Sequence, residues 1–173
     1  MPFEKPRYIG VLFALVAAGA APMLAQSDVK MTVLKHLKTS REFTLKVAEQ
    51  MPDSSYGFKL TPPQMSFAQQ MVHLSQALSV FTSPLVGEKP DFAKPPSLEK
   101  KDVIAFVGKS FDVAIERVSK LTPAQLSKTY QSEDGSMTGT ELLLAMLDHT
   151  THHRASAEMY LRAKGITPTE YEF

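Results

Sequence analysis

Three of the chain's five histidines fall within five positions of one another, in "DHTTHHRASAEMYLRAKGI", residues 148–166. Imidazole is the commonest protein ligand for transition metals and is largely unprotonated at neutral pH. On a helix each residue turns the side chain by about 100°, so His153 lies about 40° to one side of His149 and His152 about 60° to the other. His149 and His153 therefore share a face, with Leu142, Met146, Ser156 and Tyr160 in the same sector. His152 is about 100° from His153 and is poorly placed to share an ion with it. An i,i+4 pair lets two imidazoles converge on one metal. Neighbouring histidines on an amphipathic helix are also common as polar boundary residues, and the pair alone leaves both readings open.

A third ligand has two sources. His36 sits in "LKHLKTSRE", among cations, where an exposed imidazole is the simpler reading. His73 sits in "SFAQQMVHLSQALSVF", where Phe67, Met71, Leu74, Leu78 and Phe81 form the apolar side. Its own sector holds Ser66, Gln69, Gln70, Ala77 and Val80. Small and polar neighbours suit the floor of a pocket; a boundary histidine satisfied by a hydrogen bond is the competing reading.

These residues need elements to hold them. The apolar spacing and the Pro and Gly breaks predict four helices: Ser27 to Met51, Ser66 to just before Pro84, Ser97 to Lys120, and Thr140 to Lys164. Ser27 is expected to cap the first helix and "SLEK" at Ser97 to open the third with a capping box. Gly165 and Pro168 close the fourth. The connector from Leu121 to Gly139 holds one helical turn at "TPAQLSK", a turn at "EDGS" and no convincing strand. The expected class is all-α, a four-helix bundle.

Composition narrows the function. The 19 Lys and Arg against 18 Asp and Glu are scattered, so the basic stripe of a nucleic-acid binder is missing. With no cysteine, disulfides, thiolate ligands, a cysteine nucleophile and a cysteine-linked lipid anchor are all excluded. Lys5 and Arg7 precede the apolar run "YIGVLFALVAAGAA", followed by "PMLAQS". That order is the charged, apolar, small-residue order of a secretory signal. Residues 1–25 are expected to be a signal peptide cut between Ala25 and Gln26, and 26–173 the mature domain, exported to a periplasm or secreted. The run is shorter than the roughly 20 residues of a spanning helix, so no stable membrane anchor is expected after cleavage.

Two stretches resemble the DinB-like superfamily, four-helix bundles that include metal-dependent thiol transferases. "GFKLTPPQMSFAQQMVHLSQA" resembles the segment through that family's first metal histidine. "LDHTTHHRASAEMYLRAKGITP" resembles its C-terminal helix, where two histidines four apart precede an arginine. The resemblance implies a DinB-like four-helix bundle in which His73, His149 and His153 are the three metal ligands. The family pattern continues His-Arg-Gly-Gln, whereas this chain keeps Arg154 and has Ala155 and Ser156 next. Related bundles often form homodimers, so that assembly is among those expected.

Three neutral imidazoles leave positions open for a small-molecule ligand or substrate, the arrangement of a catalytic rather than a closed structural site. Nitrogen-only ligation suits a divalent transition metal such as Zn, Ni, Fe or Cu over Mg or Ca. A general base is harder to find: Asp148 and Glu158 fall on other faces of the helix, and Asp148 is better spaced to pair with His152. Gln69, Gln70, Ser156 and Tyr160 share the metal-facing sectors and are the expected pocket lining, with Tyr160 as readily a core residue. The function expected is an exported metal-binding protein with an open three-histidine site. A thiol-type transferase or a small hydrolase is the alternative. Ordinary imidazole protonation predicts metal loss as the pH falls through about 6.

Overall fold

The computed structural model describes residues 9–132 and 135–171, and the side chains of 28–131 and 135–171. Four long helices make the bundle: α1 (Ile9–Gln50), α2 (Phe67–Thr82), α3 (Lys100–Lys120) and α5 (Gly139–Ala163). The short helix α4 (Pro123–Ser127) and a two-stranded hairpin lie between α3 and α5. α2 packs on α3 and α5, and α1 packs on the same two, so α1 and α2 stand diagonally across the core. Phe43, Phe67, Phe111, Met71, Leu74 and Leu143 are among the fully buried side chains that fill the centre.

Local chemistry explains most of the boundaries. Ser66 Oγ accepts from Gln69 N, and Gln69 Oε1 accepts in return from Ser66 N, which starts α2 where the sequence predicts. Thr138 and Glu141 repeat the device at α5. α5 ends with Gly165 in the left-handed region at φ 75°. Gly165 N donates to Arg162 O and Ile166 N to Leu161 O, the paired bonds of a Schellman motif.

Two expectations are corrected, at Ser27 and at Ser97. Ser27 lies inside α1 and does not cap it, because the helix already begins at Ile9; the residues between are rich in Ala and Leu, strong helix formers. The leader expected at residues 1–25 falls outside the residues whose side chains are described. Among the described residues, no helix is long and apolar enough to cross a membrane. α3 opens at Lys100 rather than Ser97, since Ser97 Oγ donates to Asp102 Oδ2 and accepts from Glu99 N instead of capping.

The connector also holds strands that the sequence reading did not expect: β1 (Thr129–Ser132) pairs antiparallel with β2 (Gly135–Thr138), Thr129 opposite Thr138 and Tyr130 opposite Met137. Part of the expected "EDGS" turn, residues 133 and 134, lies outside the described residues; Gly135, at φ 107°, follows it. The predicted helical turn is α4, capped by Thr122 with Gln125. β2 delivers the chain to Gly139, where a Cβ would meet Gln125 O at 2.4 Å; only glycine lets the hairpin close this tightly on α4. This hairpin sets the start of α5 and so the height of its histidines.

Candidate metal centre

α2 carries His73 and α5 carries His149 and His153, and the contact between these two helices brings the three rings together. One nitrogen from each imidazole lies within 4.8 Å of the other two. Ring centroids stand 4.3 Å apart for His149 and His153, 4.5 Å for His73 and His153, and 5.3 Å for His73 and His149. Ligands of a tetrahedral ion, each bonded at about 2.1 Å, sit about 3.4 Å from one another. Small side-chain rotations therefore suffice to close the cluster on an ion. His153 is buried at 8% exposure, His149 is half-buried, and His73 is the most open of the three.

The donor set fits a transition metal. His149 Nδ1 and His153 Nδ1 are both buried without a hydrogen-bond partner. A buried polar atom left unpaired costs free energy, and an electrophilic ion is a partner that an imidazole lone pair can take. Burial pushes the His153 imidazole down to about 4, with His149, His73 and His152 adding repulsion. His149 is lowered too, first by burial and then by His73 and His152, while Asp148 opposes the shift. Both shifts favour the neutral imidazole that ligation requires.

The structure sorts the other expected site residues. His36 is exposed on α1, away from the cluster. His152 is exposed and sets its ring edge-on to His153 at 4.9 Å, acting as a neighbour of the cluster. No hydrogen bond or ion pair joins Asp148 to His152. Tyr160 belongs to the core: it is 3% exposed, packs edge-on against Phe58 and Phe67, and donates from its hydroxyl to Met65 O at 2.6 Å. Ser156 Oγ donates back to His152 O at 2.9 Å, and Ala155 beside it is exposed. The departure from the family pattern therefore leaves the three histidines where they are. Gln70 is buried with its Oε1 unpaired and lines neither cleft beside His73. Gln69 lines one of them, but its carbonyl oxygen is committed to the α2 cap.

Two clefts meet at His73 and Gln76. One, of about 610 Å³, is lined by His73, His149, Phe81, Phe92 and Leu142 among others; the other, of about 460 Å³, runs past Met65, Gln69 and Lys94. Phe81 sets its ring edge-on to His149 at 5.7 Å. Sequence reasoning did not single out Gln76, Phe92 or Gln131 as lining residues. Of these only Gln76, three residues after His73 on α2, carried a usable signal in its spacing. Among the described residues the cluster contains no carboxylate.

Arg154, the residue after His153, takes no part in the cluster. It is 3% exposed, faces α1, and places its guanidinium 4.6 Å from the Phe43 ring and 5.8 Å from that of Tyr171. Burial lowers its pKa from the usual arginine range, against the opposing effects of Tyr171 and Glu158.

The sequence model of the DinB superfamily matches residues 36–157, a span that contains all three histidines. The chain is 21% identical over 139 residues to "Uncharacterized protein YjoA" of Bacillus subtilis (strain 168), covering 78% of this chain and 90% of that protein. The crystal structure of YjoA, a DinB-like protein, superposes with a TM-score of 0.70 at 20% identity, over 81% of this chain and 96% of the other. A DinB-like protein from Bacillus cereus ATCC 10987 gives 0.71 at 19% identity, over 81% and 95%. At such identities the solved structures establish the shared helical-bundle fold.

Proposed function

The chain belongs to the DinB superfamily, and from that premise we propose that it is a metal-binding bundle in which His73, His149 and His153 hold one divalent transition metal at the head of an open cleft. The observation that carries this reading is the convergence of three imidazole nitrogens within 4.8 Å from two separate helices. A polar helix face has no need of such convergence. Two unpaired buried Nδ1 atoms and the low proton affinity of His153 support it further.

An ion bound there would supply Lewis acidity to a ligand entering through the cleft. His149 and His153 hold their side from within the bundle, and His73 closes it from α2. Three protein ligands would leave coordination positions for such a ligand. The leading reading is binding of a small molecule by this site. A thiol-type transferase or small hydrolase is the second, and it is favoured by the open cleft. Against turnover by general acid and base stands the lack of a carboxylate in the cluster. The charged, apolar and small-residue order of residues 5–26 supports export of the domain to a periplasm or the exterior.

The test is metal content by mass spectrometry on untagged protein, beside the His73→Ala variant. About one transition metal per chain in the parent, lost in the variant, is the expected result. No metal in either, after reconstitution with Zn, Ni and Fe, refutes the site. Hydrolysis or transfer abolished by His153→Ala would establish the enzymatic reading.

A further inference from the structure

We propose that the larger cleft takes a neutral ligand with an apolar, ring-sized body, held between Phe81 and Phe92, whose single metal-binding group reaches the histidine end. This rests on the metal reading above and adds the chemical class of what binds there.

The lining carries the argument. Val80, Phe81, Pro84, Pro90, Phe92 and Leu142 supply apolar walls, and no Asp, Glu, Lys or Arg is among the residues lining this cleft. Its volume of about 610 Å³ is in the range of small-molecule sites. Phe81 carries the apolar wall right up to His149. Phe92, another lining residue, is 63% exposed, the most exposed large apolar side chain described. A ring left open to water beside a metal-ligand cluster is apolar area for a ligand to cover.

The loop that bears Phe92 is held in place by specific bonds rather than by its own packing. Gln76 Nε2 donates to Phe92 O at 3.1 Å and to Ala93 O at 3.0 Å. Asp91 N donates to Ser79 Oγ at 2.8 Å, and Ala93 N to Asp91 Oδ1 at 2.9 Å. The loop also separates two chemistries. Behind it, a cavity of about 370 Å³ against α2 and α3 gathers Asp91, Lys94, Asp102, Lys109 and Arg117. In front, Pro90 and Phe92 line the same cleft as His73 and His149. Gln76 is thus a positioning residue: it fixes the backbone that bears Phe92 at the cleft.

The probes are a matched pair, acetohydroxamic and benzohydroxamic acid, which share a metal-binding head, uncharged in neutral solution and deprotonated on the metal, and differ in their apolar body. Calorimetry on the metal-loaded protein should show the benzo compound binding at least about tenfold more tightly, as burial of one phenyl ring predicts. Phe92→Ala and Gln76→Ala should bring the two affinities to within about threefold of each other with metal content unchanged. Equal affinities in the parent protein overturn the proposal and leave the metal site standing, and so does a Phe92 already covered by self-association. Failure to take up metal at all removes both.

Discussion

Arg154 Nη1 donates a 2.8 Å hydrogen bond to Ser40 Oγ, joining residues 114 positions apart across the α1–α5 contact. A step of one residue on α5 thus divides the work: His153 turns to α2 and the cluster, Arg154 to α1 and the core. Because adjacent helical residues are about 100° apart, fixing one fixes the other's direction.

Ser40→Ala should cost about 1–3 kcal/mol, because it leaves a buried guanidinium donor unfilled. Urea unfolding of the metal-free protein measures it. A change below about 0.5 kcal/mol would mean that the contacts with Phe43 and Tyr171 hold the arginine without Ser40.

The metal-free bundle should lose stability as the pH falls from about 6.5 towards 4. His149 and His153 have folded pKa values below the ordinary 6.5, His153 at about 4. Between those values the unfolded chain binds more protons than the folded one, so acid favours unfolding. The contribution is complete above 6.5 and is lost as the pH passes down through the folded values. Thermal midpoints at pH 7.5 and 4.5 test this. His153→Gln should flatten the dependence, and a slope of opposite sign would contradict the burial described for these rings.

Metal release on acidification should be centred below pH 6, the point that an ordinary imidazole sets. Burial weakens the competing proton at two of the three ligands, so the ion meets less competition. Equilibrium dialysis across pH 7 to 4 would show this; half-loss at or above 6.5 would speak against ligation by His149 and His153.

Tyr160→Phe should cost about 0.5–1.5 kcal/mol by removing the bond to Met65 O. Metal content should not change. If the variant instead kept its stability and altered hydroxamate binding, Tyr160 would have to be moved from the core to the cleft.

Features written in local sequence were legible. The pairs Ser66 with Gln69 and Gly165 with its flanking residues mark helix ends through bonds spanning only a few positions, and 3.6-residue periodicity put His149 and His153 on one face. The third ligand needed the resemblance to the family, because nothing in the residues around His73 says which helix it meets. Less was legible wherever a contact joins distant segments without a period. Tyr160 shares the sector of His149, yet its length carries the hydroxyl past the cluster to Met65. Phe92 sits in a Pro-rich loop whose place depends on Gln76 reaching two backbone carbonyls. The hairpin was hidden for another reason: "TYQS" and "GSMT" are too short and polar to show alternation.

His73 belongs to one helix and His149 and His153 to another, with α3, α4 and the hairpin threaded between them. Under the proposed ligation, an ion is therefore a removable rivet through the bundle, and the fold inherits the metal supply of its surroundings as a thermodynamic variable. At a free metal concentration a hundredfold above its dissociation constant, mass action adds about 2.7 kcal/mol to stability. The same chain would be sturdier in a metal-replete compartment and easier prey to proteases in a starved one.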